Sequence, residues 1–179
     1  YRWYGYDGSE VTITFYHAMG AANQAVIQSI IDDFQVDMKK QYGVNVTVEQ
    51  TSQGDYDTLR QTISSAIAAG TQPTIAQTYP DHVALYLQGK SLVNLDTYIN
   101  DPEYGMSAEE QAQFVEGFWA EGTIYDEAGT RYAMPFNKST ELMYYNADIF
   151  AKYKWDVPQT WDDVVKVAEA WKATTEYKN

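Results

Sequence analysis

The chain has 179 residues and a mass of 20.4 kDa, enough for one well-packed core or for one domain and the beginning of another. Its 45% hydrophobic and 15% aromatic content, with 16 Tyr and 5 Trp, excludes a disordered segment. With 25 acidic against 12 basic residues the formal charge is -13, which repels nucleic acid and anionic membrane surfaces, and the absence of cysteine removes thiol catalysis, thiolate metal sites and disulfides.

No stretch approaches the length of a membrane span, and no basic-then-apolar signal segment opens the chain. The aromatic, glycine-rich opening YRWYGYDGSE has no clear period and reads as an N-terminal extension over residues 1–10. The first firm element is VTITFYH, where Val11, Ile13 and Phe15 alternate with Thr12, Thr14 and Tyr16 at the period of a strand. From about Asn23 the period changes. Val26, Ile30, Phe34 and Met38, with Ile27 and Ile31 beside them, predict a helix ended by Lys39, Lys40 and a left-handed Gly43.

Alternation returns in VNVTVEQ, completing a strand-helix-strand crossover unit and implying a parallel sheet. A second helix is expected from Tyr56 through Leu59, Ile63 and Ile67 to Gly70, then a short strand in TIAQT. The order β-α-β-α-β opens a doubly wound α/β domain. Beyond Pro80 the pattern predicts a short helix over Asp81–Gln88 and a turn-rich stretch, SLVNLDTYIND. Next come a helix through Phe114 and Phe118 capped by Ser107 with Glu110, and a hairpin over GTIYDEAGTRYAMP. LMYY reads as a strand, followed by a helix from Asp148 to Tyr153 and a last helix capped by Thr160. That helix carries Trp161, Val164, Val165, Val167, Ala168 and Trp171 as its apolar positions, the two tryptophans expected as core or interface residues. The pattern stops at Asn179 without the strand expected next, as in a chain cut short.

Dinucleotide, phosphate-loop, zinc-protease and nucleophile-elbow motifs are all missing, and the two histidines, His17 and His82, stand without partners in a metal motif. No cofactor or metal is expected. In an open parallel sheet, ligands bind outside the carboxyl ends of the strands. Those loops hold Tyr16-His17-Ala18-Met19, Gln53-Gly54-Asp55-Tyr56 and Thr78-Tyr79-Pro80-Asp81. Tyrosine is abundant everywhere in the chain, and a single loop Tyr is more often packing than contact. The coincidence of aromatic and polar groups at three strand ends is what favours a polyol or carbohydrate, whose rings stack on aromatic faces while its hydroxyls take hydrogen bonds. Met19 reads as packing.

Five segments, FYHAMG, QGDYDTLRQTISSAIAAGTQPTIAQTYP, LVNLDTYI, AMPFNKSTELMYYNADIF and PQTWDDVVKVAEA, resemble in order and spacing the extracellular solute-binding proteins of ABC importers, family 1. Within that family they are most similar to the glycerol-3-phosphate and multiple-sugar binding branch. The resemblance spans residues 11 to 175. It implies two α/β lobes joined by crossing strands, with lobe 1 over 11–135 and the start of lobe 2 over 136–179, closing as a hinge on a ligand in the cleft. Met134-Pro135-Phe136 becomes the first crossing strand, and Asn137 to Thr140 line the cleft, their polar groups pairing ligand hydroxyls sealed from water. Tyr56 and Ser139 match ligand-contacting positions of the glycerol-phosphate binders. The glutamate of that branch falls on Pro80 here, leaving Asp81 as the acidic group.

The resemblance therefore implies a non-enzymatic receptor with His17, Tyr56, Tyr79, Asp81, Asn137 and Ser139 at its site. It would deliver a carbohydrate or polyol, phosphorylated or not, to the membrane permease of an ABC importer. It would be a monomer, periplasmic or lipid-anchored at a bacterial surface, with any anchoring cysteine upstream of Tyr1. Two other readings stay open: a carbohydrate-active enzyme using an acidic pair such as Asp55 and Asp81, and a cell-surface interaction domain presenting its tyrosines to a protein.

Overall fold

A computed structural model describes residues 8–178, so all but the last three residues of the extension read over 1–10 lie outside the described part. The chain divides into two compact units, the first ending at Asn137 and the second beginning at Lys138.

The first unit is built on strand β1 (Val11–His17). Helix α1 (Ala21–Asp37) follows and widens into a π-helical turn, Met38–Tyr42, that ends at a left-handed Gly43 at φ 70°. Strand β2 (Val46–Ser52) runs parallel to β1, from Val11 against Val46 to His17 against Ser52. Helix α2 (Tyr56–Ala69) ends at a second left-handed glycine, Gly70, also at φ 70°. Strand β3 (Ile75–Ala76) joins β1 on its other edge, giving the parallel order β2-β1-β3. Helix α3 (Pro80–Gln88) opens with its proline in the first turn, where a missing N–H costs nothing.

Alternation along β1 sends neighbouring side chains to opposite faces, and each face has its own core. Phe15 packs with Met19, Ile27 and Ile31 under α1. Tyr16 packs with Leu59, Ile63 and Tyr86 under α2 and α3. Helices thus cover both faces of a parallel sheet, the doubly wound arrangement expected from the element order. Leu59 and Val83 are almost wholly enclosed, each worth roughly 1.5–3 kcal/mol of burial.

Several expectations are corrected. Helix α1 buries the row Ile27 and Ile31, whereas Val26 and Ile30 are about 60% exposed (59% and 62%). Only one i, i+4 row of a helix meets a sheet this narrow, and Gln24, Gln28 and Gln35 occupy the flank that faces β2. The turn-rich stretch contains a helical turn, α4 (Asp96–Ile99). The capping box of Ser107 and Glu110 is present with both of its hydrogen bonds. The helix it starts, α5 (Ala108–Gln111), breaks before Phe114, and α6 (Glu116–Ala120) starts afresh, which lets the Phe114 ring stack on Trp119 at 4.7 Å.

The hairpin does not form. Residues Glu121–Thr123 make a 3-10 turn, and Arg131 pairs elsewhere. Its backbone N–H donates to Asp96 Oδ2, its carbonyl accepts from Leu95, and its guanidinium lies 3.7 Å over the Trp119 ring while donating to the Trp119 carbonyl. Those contacts take the groups a hairpin ladder needs. Met134-Pro135-Phe136, expected as a crossing strand, runs outside any ladder.

The second unit contains α7 (Ala147–Tyr153), capped by Asn146, then α8 (Trp161–Lys172), capped by Thr160, and α9 (Thr175–Lys178). LMYY is not a strand: Leu142 and Tyr144 are 70% and 89% exposed, and among the described residues no strand of this unit offers a ladder. Trp161 is likewise 78% exposed, which removes it from the core within the described residues.

Candidate functional site

The carboxyl ends of β1, β2 and β3 gather three loops on one edge of the first unit. The β1 loop is fixed from below by His17, which is fully buried. Its Nδ1 accepts the Met19 N–H at 3.1 Å, which leaves the ring proton on Nε2 for donation to Gln50 Oε1 at 3.0 Å. Gln50 passes the connection on, donating to the Gln24 carbonyl and to Gln28 Oε1 on α1. His17 is thus a scaffold at the strand end, one ring beneath the loop it was expected to line.

The β2 loop turns at Gly54, whose φ of 91° favours glycine, and delivers Asp55 as the N-cap of α2. Asp55 accepts the Thr58 N–H at 2.7 Å. That bond, more than any other contact, holds its carboxyl below the usual carboxylate range. A general acid needs the opposite shift, so Asp55 does not fit the proton-donor role of an acidic pair. Ser52 donates to the Met19 carbonyl at 3.1 Å, tying the β2 loop to the β1 loop.

Beyond β3 the ladder continues for one bond, Gln77 N–H to the Tyr16 carbonyl at 2.8 Å. The Gln77 side chain then becomes the centre of the cluster. Its Oε1 accepts the Ala18 N–H at 2.9 Å, and its Nε2 donates to the Tyr56 hydroxyl at 3.2 Å and to Asn137 Oδ1 at 2.9 Å. Met19 sulfur lies 3.6 Å from Asn137 Nδ2, and Phe136 meets Phe15 edge-on at 5.7 Å. The segment before the unit boundary is therefore anchored to the strand ends.

Tyr79 stands over Tyr56 with ring centroids 4.6 Å apart. A row of rings continues behind it, Tyr79 to His82 at 5.7 Å and His82 to Tyr86 at 6.4 Å. The carboxylate of Asp81 is 80% exposed in the first turn of α3, 3.8 Å from His82 Nε2. Of the six residues expected at the site, Tyr56, Tyr79 and Asn137 come together. His17 lies underneath, Asp81 stands at the rim of the same loop, and Ser139 is exposed in the second unit. Gln77 was missed, although a carboxamide in the apolar run TIAQT was the available signal.

Two open depressions of about 380 and 410 Å3 lie away from these loops. The larger is lined by Asn100, Asp101 and Glu110, and the smaller by Glu10, Asp32, Lys39 and Val46 at the amino ends of β1 and β2. Carboxyl-end loops, not amino ends, build sites on open parallel sheets, so the cluster around Gln77 is the candidate. Among the described residues no group of three or more His, Asp or Glu is placed to hold a metal ion, and no helix is long and apolar enough to cross a membrane.

Comparison with known proteins agrees with this architecture. The sn-glycerol-3-phosphate-binding periplasmic protein UgpB of Escherichia coli K12 is 26% identical over 169 residues, covering 91% of this chain and 36% of that protein. A structure from work on xylan utilization by the thermophilic bacterium Caldanaerobius polysaccharolyticus superposes with a TM-score of 0.61 at 24% identity, over 91% of this chain and 38% of the other. A periplasmic oligogalacturonide binding protein from Yersinia enterocolitica does so with a TM-score of 0.59 at 22% identity, over 92% and 37%. The chain spans 36% of the length of the curated relatives it matches. The model of the bacterial extracellular solute-binding protein family matches residues 20–178, and the chain belongs to that family.

Proposed function

We propose that this chain is the first lobe, and the beginning of the second, of a receptor that captures a carbohydrate or polyol ligand by hinge closure and presents it to the permease of an ABC importer. The observation that carries the reading is the joint between Gln77, Tyr56 and Asn137, which sets an aromatic face and an amide side by side at the carboxyl ends of a parallel sheet. An aromatic face takes the apolar side of a sugar or polyol, and neighbouring amide and hydroxyl groups take its oxygens. The pair Tyr56 and Tyr79 supplies the first, with Asn137 beside it and Asp81 at the rim.

Relatives named for glycerol phosphate and for oligogalacturonide binding support a hydroxylated, anionic small molecule as the ligand class. Closure follows from linkage: a ligand that contacts both lobes only in the closed state shifts the population towards it by the free energy of those extra contacts. The site belongs outside the cytoplasm, in the periplasm or on a lipid anchor at the cell surface. Small-angle scattering of the longest natural form tests the closure. A bound ligand should reduce the radius of gyration, and saturating ligand with no change would remove the hinge from the mechanism.

A further inference from the structure

The Gln77 side chain is 6% exposed, and a buried carboxamide must place one acceptor and two N–H donors. Its orientation is forced. The Ala18 N–H can only donate, and it lies 2.9 Å from Oε1, so the two Nε2 hydrogens face the other way. There they meet the Tyr56 hydroxyl oxygen and Asn137 Oδ1, and both are used.

The consequence passes outward by one step. A Tyr56 oxygen that accepts from Gln77 keeps its own proton for another acceptor, and among the described residues that hydroxyl has no second hydrogen-bond partner. Asn137, with Oδ1 occupied, turns its Nδ2 hydrogens away from Gln77, where their partner is the weakly accepting sulfur of Met19. A backbone N–H therefore decides, through one amide, which way two cluster side chains point their protons.

We infer that Gln77 fixes the hydrogen-bond polarity of this cluster, so that Tyr56 and Asn137 meet a solute as donors and take a ligand oxygen that presents lone pairs, on a phosphate or on a sugar. The inference rests on the solute-receptor reading above. Gln77 is a positioning residue in it and touches no ligand itself.

The test is calorimetric titration of the longest natural form with glycerol 3-phosphate and, separately, with xylobiose. The wild type, Gln77→Glu and Tyr56→Phe are compared at pH 7.5 and pH 5. The ionised glutamate keeps the Ala18 contact but has no hydrogen, so Tyr56 and Asn137 must turn their donors inward. Affinity for the probe bound by the wild type should fall by about tenfold or more. At pH 5 a buried glutamic acid regains one O–H, and part of the loss relative to wild type at the same pH should return. Tyr56→Phe should lose about tenfold at both pH values with no recovery.

Loss with glycerol 3-phosphate assigns the oxygen to a phosphorylated ligand, and loss with xylobiose to a sugar. Wild-type affinity in Tyr56→Phe, or in folded Gln77→Glu at pH 7.5, overturns the inference and leaves the receptor reading intact. A Gln77→Glu loss that is the same at both pH values also overturns it. Wild-type protein that binds neither probe overturns both.

Discussion

Tyr56 and Tyr79 close different strand ends, yet their rings meet with centroids 4.6 Å apart and an angle of 48° between planes. Tyr56 leans into the core beside Met19, Ile27 and Ile31, while Tyr79 remains 46% exposed. One ring of the pair is held by packing and the other is offered to solvent.

Tyr79→Ala should therefore separate binding from stability. Removing an exposed ring that stacks on a neighbour costs about 0.5–1.5 kcal/mol of aromatic contact, a small part of a domain's stability. Ligand affinity, measured by titration, should fall about tenfold. Unchanged affinity would place the solute away from this loop.

Ser139→Ala makes a similar test from the second unit. Its side chain is exposed, so the melting temperature of the empty protein should stay within about a degree or two while binding weakens. Normal binding would remove Ser139 from the site.

His17→Ala should act on the fold. It deletes a wholly buried ring and leaves the Met19 N–H and Gln50 Oε1 without partners, a loss of about 2–4 kcal/mol in denaturant unfolding. If the variant instead unfolds like the wild type, the β1 loop is not held as described.

Acid should loosen α8 over a defined window. Lys166, and then the Thr160 hydroxyl, hold the Asp163 carboxyl down to about 2 from 3.8. A carboxylate with a depressed folded pKa contributes stability that is present above its ordinary value and is lost as pH falls through the folded one. The contribution of this cap should thus disappear between roughly pH 4 and pH 2. Carboxyl NMR titration of Asp163 reads the midpoint directly, and a midpoint near 4 would mean that the Thr160 and Lys166 contacts do not persist in solution.

What the sequence makes legible here is local. The alternation of β1, the stop at Gly43, the capping box of Ser107 with Glu110 and the Thr160 cap each depend on residues within a few positions, and all are present. The features misread need a partner from afar. Val26 and Ile30 look like the buried stripe of α1 until the sheet selects Ile27 and Ile31. Arg131 leaves its hairpin for Trp119 and Asp96. Among the described residues LMYY finds no ladder partner within its own unit, and Trp161 stays exposed. The candidate site divides the same way. Aromatic residues after each strand mark Tyr56 and Tyr79, whereas the role of Gln77 depends on Ala18 and Asn137, 59 and 60 positions away.

If the strand-end cluster belongs to a solute receptor, its solute must stabilise the folded chain. The decisive experiment is a thermal-shift panel on the longest natural form, setting neutral mono- and oligosaccharides against glycerol phosphates and their diesters. A ligand that binds only the folded state raises the melting temperature with concentration, by about 2.7 kcal/mol of stabilisation at a hundred times its Kd. Such a rise is expected with one of the two classes, and a smaller one with Tyr79→Ala. A flat response to every member of both classes would contradict it.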